Sequence, residues 1–368
     1  MGIYLLFFIF ISAFSIFDFI GKESNQKIFL FIIWLLSTLF IGTRTIGPDY
    51  YVYHTYYLMV PNIFELSGQF AEYTIFSKFE PLYIITTSLG KSLGLSFEIF
   101  HLIFTGIFCW LFIFNISKYT PYVFISIMVY VGFAYISGWS AIRQFMAGSI
   151  FFYALKFIIQ EKRFKYAISI VIATLFHYSA IVLIVFIVIR NWKLSKLTCT
   201  ILILCPLMIY FSGIFSIISS YLLGFLPFLD ATKVTKWTNE ESGLISTIFF
   251  LWVFVLIFFI ANLDKLRNLP NFNLFFNIYI FSFSMFVLVQ SLGEFGRINM
   301  FNKILHALMF PYIIFIFSKS SRLVVYLIIW TISIVTYYRD IITMDEFQSK
   351  STNLTTKFIP YKSWLFHE

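Results

Sequence analysis

Charge is what this chain has least of. Only 12% of its 368 residues are Asp, Glu, Lys or Arg, against about 25% in an ordinary soluble domain. By contrast 60% are hydrophobic, and the mean hydropathy is +0.88. So little charge cannot cover a surface that faces water, and most of the chain has lipid as its solvent. Cysteine is scarce as well. Cys109, Cys199 and Cys205 lie inside apolar runs, with no CxxC spacing and no histidine beside them. That excludes a disulfide framework and a zinc site, and leaves buried thiols. There is no phosphate loop, GxSxG elbow, HExxH pair or Rossmann fingerprint, which removes the common soluble chemistries. Internal repeats and low-complexity linkers are missing too, so a single domain over 1–368 is expected. The apolar start, Gly2 to Phe17, lacks a basic n-region and a small-residue cleavage site, and reads as a retained first span.

What is present is a series of apolar runs. A bilayer core of about 30 Å takes about 20 apolar residues in a helix. Runs that meet or approach this are 3–20, 28–42, 97–115, 121–137, 140–159, 166–189, 198–218, 244–262, 274–292, 301–318 and 323–338. A shorter stretch, 82–95, carries Gly90, Lys91 and Gly94 and reads as interfacial or re-entrant. The expected fold is therefore all-α, a polytopic transmembrane bundle of about 10–12 spans. The 51 Phe and 23 Tyr reflect in part a compositional bias and are not by themselves a ligand signature.

The net charge of +9 does not point to nucleic acid, because the basic residues fall in short clusters between apolar runs. Lys22 with Lys27, Lys162-Arg163-Lys165, Arg190 with Lys193 and Lys196, Lys265 with Arg267, and Lys319 with Arg322 mark cytoplasmic ends. The main extracytoplasmic loops are then 43–80, with Asp49, Glu65, Glu72 and Glu80, and 219–243, with Asp230, Glu240 and Glu241. Placing both 162–165 and 190–196 inside requires that neither 166–189 nor 82–95 crosses simply. A break near His177-Tyr178-Ser179 would make the first of these a hairpin. If both cross once instead, residues 96–165 invert and the two outward loops keep their side.

Ionisable groups at membrane depth are costly and mark function or a pair. After the second span the chain reads Thr43-Arg44-Thr45-Ile46-Gly47-Pro48-Asp49-Tyr50-Tyr51-Val52-Tyr53. Gly47-Pro48 is a turn signal, and Asp49 suits the N-cap of a helix on which Asp49, Tyr53 and Tyr56 share a face. Two readings stand: a sugar site of carboxylate and aromatic faces, or a helix cap beside an interfacial aromatic belt. Arg143, near a membrane boundary without an adjacent acid, either snorkels or holds a phosphate with its planar fork. His177, deep in an apolar run, is either a satisfied core histidine or a base. Glu294 and Arg297, three residues apart, either pair with each other or leave Arg297 to an anionic ligand. Glu80 precedes Pro81 as ordinary helix-start chemistry does, and ranks below the others.

Together these segments resemble the EpsG-like and Wzy-type polysaccharide polymerase family. The matching pieces are TRTIGPDYYVY at 43–53, EPLY at 80–83, IRQFMAGSIFFYAL at 142–155, ATLFHYSAIVL at 173–183 and the arginine of GRINMF at 296–301. The resemblance implies a multi-pass protein of the bacterial cytoplasmic membrane whose fold is related to the lipid-dependent glycosyltransferases of the C class. It implies a metal-independent glycosyltransferase without a cofactor. Its substrate would be oligosaccharide repeat units on undecaprenyl diphosphate, joined at the outer face into O-antigen, capsule or exopolysaccharide. Membrane lipid is the other expected partner, with room for a chain-length regulator. Carried over by position, Asp49 and His177 are the catalytic candidates, with Asp49 first. Arg44, Arg143 and Arg297 are the diphosphate holders, and Tyr53, Tyr56 and Glu80 the sugar-binding residues.

Two other functions use similar helices. A lipid-linked oligosaccharide flippase or transporter favours internal repeats and mid-span charges, and an O-antigen ligase presents a larger outer loop than 219–243. A scaffold without activity would explain the hydrophobicity but not Asp49, Arg143 and His177.

Overall fold

The structure is a computed structural model, and it describes residues 1–20, 25–47, 49–77, 79–214, 247–289, 299–349 and 358–366. The protein is an all-α polytopic membrane protein. Among the described residues, four apolar helices have the length to cross a bilayer: Gly2–Ile20, Phe97–Ile116, Ile142–Ile159 and Arg322–Thr343. Seven further apolar helices are shorter, at 10–17 residues. The chain gathers into two compact units, Met1–Ile184 with Tyr326–Glu368, and Val185–Val325. That division falls inside the apolar run 166–189, where composition leaves no mark.

In the first unit, α1 is Gly2–Ile20, α2 Gln26–Gly42, α3 Tyr50–Met59, α4 Ile63–Ser77 and α5 Pro81–Ser92. Next come α6 (Phe97–Ile116), α7 (Val123–Tyr135), α8 (Ile142–Ile159) and α9 (Arg163–Phe176). Helices α6 and α8 are the central ones, 61% and 67% buried over their apolar windows against 33% for α1. Small residues let α2 and α6 approach closely in antiparallel fashion. A Cβ on Gly42 would lie 2.8 Å from Leu102 Cδ1, and the Trp34 indole donates to the Gly106 carbonyl at 2.9 Å.

Helices α8 and α9 form a hairpin. Its turn is closed by Glu161 in the left-handed region (φ 62°) and by the Lys162 N–H on the Phe157 carbonyl at 2.8 Å. The start of α8 and the end of α9 therefore lie at one end of the unit, and Lys162, Arg163 and Lys165 at the other. At His177 (φ −159°, ψ 116°) the helix stops. The chain then runs back along α9 as a 3₁₀ turn, with the Tyr166 hydroxyl donating to the Leu183 carbonyl at 2.7 Å. It is heading toward the 162–165 end when it leaves the first unit.

Helix α5 does not cross either. Its first turn, at Tyr83, meets Phe104, and its last turn is tied to the α3–α4 connection. There Lys91 Nζ donates to the carbonyls of Leu58 and Val60 at 2.7 and 2.6 Å, and Ser88 Oγ to that of Pro61 at 2.8 Å. Phe104 is seven residues into α6, roughly 10 Å below its start. So the chain dips to Glu80 and returns through α5 to the end it came from. One end of the unit thus carries Asp49, Glu65, Glu72, Glu80 and Glu98, the other Lys27, Lys118 and the 162–165 cluster. An exception at the basic end is Asp18, whose carboxylate accepts the Ile125 N–H at 2.8 Å and so caps the start of α7.

Helix α10 (Tyr178–Ile189) begins in the first unit and ends in the second, where the Asn277 amide of α13 (Phe272–Val289) donates to the carbonyls of Ile189 and Trp192 at 2.9 and 2.8 Å. Helix α11 (Lys196–Phe211) packs on α13, where Ser284 Oγ reaches the Leu202 carbonyl at 2.6 Å. Helix α12 (Thr247–Ala261) and α14 (Asn299–Ile316) complete it, and α15 (Arg322–Ser349) leads back to the first unit. The expected outer loop 219–243 lies outside the described residues.

Single cysteines test the two-ended arrangement in a Cys205→Ser background, the other two native cysteines being buried. A membrane-impermeant maleimide is expected to reach Glu65→Cys and Glu98→Cys from one side of the membrane and Lys162→Cys only from the other. Labelling of all three from one side would contradict it.

Candidate functional site

Three irregular points of the chain meet at the acidic end of the first unit. Glu80 (φ −76°, ψ 149°) precedes Pro81 and α5; Arg143 is the second residue of α8, after the break at Ala141; His177 ends α9. Each break has a local cause. Proline at the first helical position has no N–H to lose and fixes the entry of α5. Before α8, the helix α7 loosens into a π turn over Val131–Tyr135, followed by the short helix Ser137–Ser140 and an Ala141 outside the helical region (φ −112°, ψ 55°). Such π turns recur at functional positions in helices.

The Glu80 carboxylate joins the three. Its Oε1 lies 2.8 Å from His177 Nδ1, and its Oε2 accepts from Arg143 Nη1. The side chains of Glu80, His177 and Arg143 are 5%, 11% and 17% exposed, so the cluster is sealed on most sides and open at the arginine. Around the guanidinium, Phe79 lies 4.6 Å from Cζ, Tyr53 5.8 Å and Tyr83 5.9 Å. Aromatic faces stabilise a cation removed from water. Tyr53 also stands 3.5 Å from Arg143 Nε, a long contact. Burial pushes the phenol of Tyr53 up, against the pull of Arg143, so it stays a neutral hydroxyl. For Glu80, burial pushes the carboxyl up. The His177 bond and the Arg143 charge pull it down further, leaving it below the ordinary carboxylate range.

This arrangement dictates the histidine's tautomer. Against an ionised Glu80, Nδ1 carries the proton and donates; in the neutral imidazole Nε2 is then the acceptor. Arg143 Nη2 has no hydrogen-bond partner among the described residues. An imidazole and a guanidinium thus sit on one carboxylate.

The remaining sequence candidates are placed differently. Arg44, expected to hold phosphate, is fully buried. Its Nη1 donates to the Ile46 carbonyl at 2.7 Å and its Nη2 to that of Trp139, with the Trp139 ring 5.3 Å from Cζ. Burial lowers it to about 10, so it remains charged at neutral pH. The sequence reading assigns Arg44 to diphosphate; in the structure its two terminal nitrogens bind backbone carbonyls and the side chain has no exposed surface. Asp49 is exposed at the start of α3 in the left-handed region (φ 59°). It holds the helix through its carbonyl, which accepts from Tyr53 N at 2.9 Å, and not through its carboxylate. Tyr53 and Tyr56, expected to stack on sugar, are buried against Phe79 and Tyr83, with centroids 4.0–6.1 Å apart. Their faces are taken by protein. Arg297 and Glu294 lie outside the described residues.

Glu80, ranked last on sequence, is the centre. Phe79, Tyr83 and Tyr178 carry no sequence signal of their own for this cluster. Tyr178, next to His177, is 55% exposed and is the ring nearest in sequence to the cluster that presents a free surface. One signal could have found Glu80: Arg143 needs an acid at depth, and few acids border an apolar run.

The ion pair makes a thermodynamic prediction. Glu80→Ala leaves Arg143 buried without an acid and is expected to cost about 3–5 kcal/mol. In a double-mutant cycle with Arg143→Ala, read by unfolding in detergent, a coupling of about 1–3 kcal/mol is expected at pH 7. Because folding lowers the Glu80 pKa, that coupling is complete above the ordinary carboxylate range and fades as pH falls through the lower folded value. Additive effects at pH 7 would contradict the pairing.

Comparison with known proteins agrees with the resemblance read in the sequence. The model of the EpsG family matches residues 27–363, nearly the whole chain. No curated protein and no solved structure matches it. The match takes in Glu80, Arg143 and His177 together with every helix that positions them. The chain belongs to the EpsG family, a Wzy-like family of polysaccharide polymerases.

Proposed function

We propose that this polymerase joins oligosaccharide repeat units carried on undecaprenyl diphosphate, at the outer face of the cytoplasmic membrane, with Arg143, Glu80 and His177 as its reaction centre. The observation that carries the reading is the Glu80 carboxylate holding a histidine on one oxygen and an arginine on the other. The outer face is supported by the basic clusters at the opposite end of the unit, which follow the cytoplasmic rule.

The chemistry follows from the leaving group. As the bond between the anomeric carbon and the diphosphate oxygen breaks, the electron pair goes to phosphate and negative charge builds there. Arg143, with Nη2 unengaged and at the uncapped start of α8, meets that charge with both its fork and the positive helix end. Preorganised donors of this kind are typically worth ~10²–10³ in rate. The acceptor hydroxyl attacks the anomeric carbon, and its proton passes to His177 Nε2. The imidazolium so formed is stabilised by Glu80. The products are the lengthened lipid-linked chain and free undecaprenyl diphosphate. The exposed ring of Tyr178 suits the apolar face of a sugar beside the base. Arg297 keeps its assignment to phosphate from the family resemblance.

The test is the surface polysaccharide of cells that lack the protein, complemented with variants. Loss of the polymerase is expected to leave single repeat units on the final acceptor. Polymer stranded on undecaprenyl diphosphate would indicate a ligase, and unexported units a flippase. His177→Ala and Arg143→Ala, inserted at normal levels, are expected to give the single-unit pattern, with rate losses of at least ~10². Normal chain length in both would overturn the assignment.

A further inference from the structure

The C-terminal segment 358–366 lies at the acidic end of the first unit, against the stretch that follows α2. It pairs with Thr43–Thr45 like a short antiparallel strand. The Thr45 N–H donates to the Lys362 carbonyl at 3.0 Å and the Trp364 N–H to that of Thr43 at 2.9 Å, with Arg44 and Ser363 as the opposed residues. Ser363 Oγ adds a bond to Thr43 Oγ1 at 2.7 Å. Behind it, Tyr361 stacks on Phe40 at 4.9 Å, and Phe358 and Tyr361 lie 5.4 and 6.0 Å from the Trp139 ring.

The consequence runs through Arg44. With its backbone held on both sides, its side chain is sent inward, where Nη2 binds the Trp139 carbonyl. Gly47 (φ +110°) leaves the room this needs: a Cβ there would stand 2.5 Å from Arg44 Nη1. Trp139 belongs to the short helix Ser137–Ser140, and Arg143 follows four residues later, across the break at Ala141. A break of this kind has no internal ladder to fix its angle, so its direction depends on what grips either side.

We infer that the C-terminal segment is a positioning element of the reaction centre, acting through Arg44 and the Trp139 carbonyl to set the angle at which α8 delivers Arg143 to Glu80. The inference rests on the proposed function. It gives a role to a fully buried arginine whose terminal nitrogens bind the carbonyls of Ile46 and Trp139, and to a pairing made between segments more than 300 residues apart in sequence.

The experiment uses the full chain and a synthetic lipid-linked repeat unit. Trp364→Pro removes the N–H donor to Thr43 while leaving Arg44 and the Glu80 cluster unchanged. It is expected to lower kcat about 10²-fold and to change KM by less than about twofold, since ground-state binding is untouched. Adding Thr43→Cys and Ser363→Cys to that variant, with Cys205→Ser, ties the segment back covalently. Activity is expected to return on oxidation and be lost again with reductant. If Trp364→Pro proves unstable, the same cysteine pair keeps the test open, because its reduced and oxidised forms have one sequence. Wild-type kcat in a folded Trp364→Pro variant, or no recovery on oxidation, would overturn the positioning role. A wild-type protein that fails to polymerise the unit at all would count against the proposed function instead.

Discussion

The arrangement of the first unit depends on one carboxylate shared between two bases of different strength. A guanidinium taken out of water at this depth costs several kcal/mol unless it is paired and hydrogen-bonded. Glu80 supplies the pair, and the rings of Phe79, Tyr53 and Tyr83 supply the rest of the surroundings. The same carboxylate fixes His177 through its other oxygen. This requirement explains α5. It is too short to cross a bilayer, and its shape makes sense only as a way of bringing an acid down to the arginine and taking the chain back.

Arg44 and Arg143 show how surroundings divide one residue type between two tasks. Both sit just beyond or just inside a helix terminus at the same end, and both have aromatic rings around them. Arg44 spends its Nη1 and Nη2 donors on the carbonyls of Ile46 and Trp139 and has no exposed surface. Its value is geometric: a planar fork can tie two backbone groups from distant segments in fixed directions. Arg143 spends one donor on Glu80 and keeps part of its surface open. Only the second can exchange partners as charge develops on a ligand.

That difference was not legible in the sequence, because it depends on which carbonyls lie within reach after folding. Hydropathy does reveal the helices, and the clustering of Lys162, Arg163 and Lys165 away from Asp49, Glu65 and Glu72 reveals two unlike ends. The cost of burying charge singles out Arg143 and His177 without any structure. Glu80 is harder to see because Glu-Pro is also an ordinary way to begin a helix, and that local explanation hides the long-range one. Asp49 is the opposite case: its position before α3 suggests a capping carboxylate, yet it makes no side-chain cap bond and its carbonyl accepts from Tyr53 N instead. Helical spacing gives the shared face of the α3 tyrosines but not what covers it. Phe79 and Tyr83 cover it.

The irregular backbone of this protein gathers where the chemistry is proposed. In lipid, a broken helix leaves N–H and C=O groups that nothing outside can satisfy, so breaks survive only where protein or a polar cavity surrounds them. Glu80, Ala141 and His177 are three such breaks, from α5, α8 and α9, and they lie at one end of one unit. Each break does what a continuous helix could not. The first turns an acid inward, the second aims an arginine, and the third frees an imidazole from the helical surface while its other nitrogen is held. The long helices α6 and α8 behind them are uninterrupted and mostly buried, and they give these three points a common frame. A bundle built only to span the membrane would gain from closing every one of those breaks; a bundle that must bring Glu80, Arg143 and His177 together cannot close any of them.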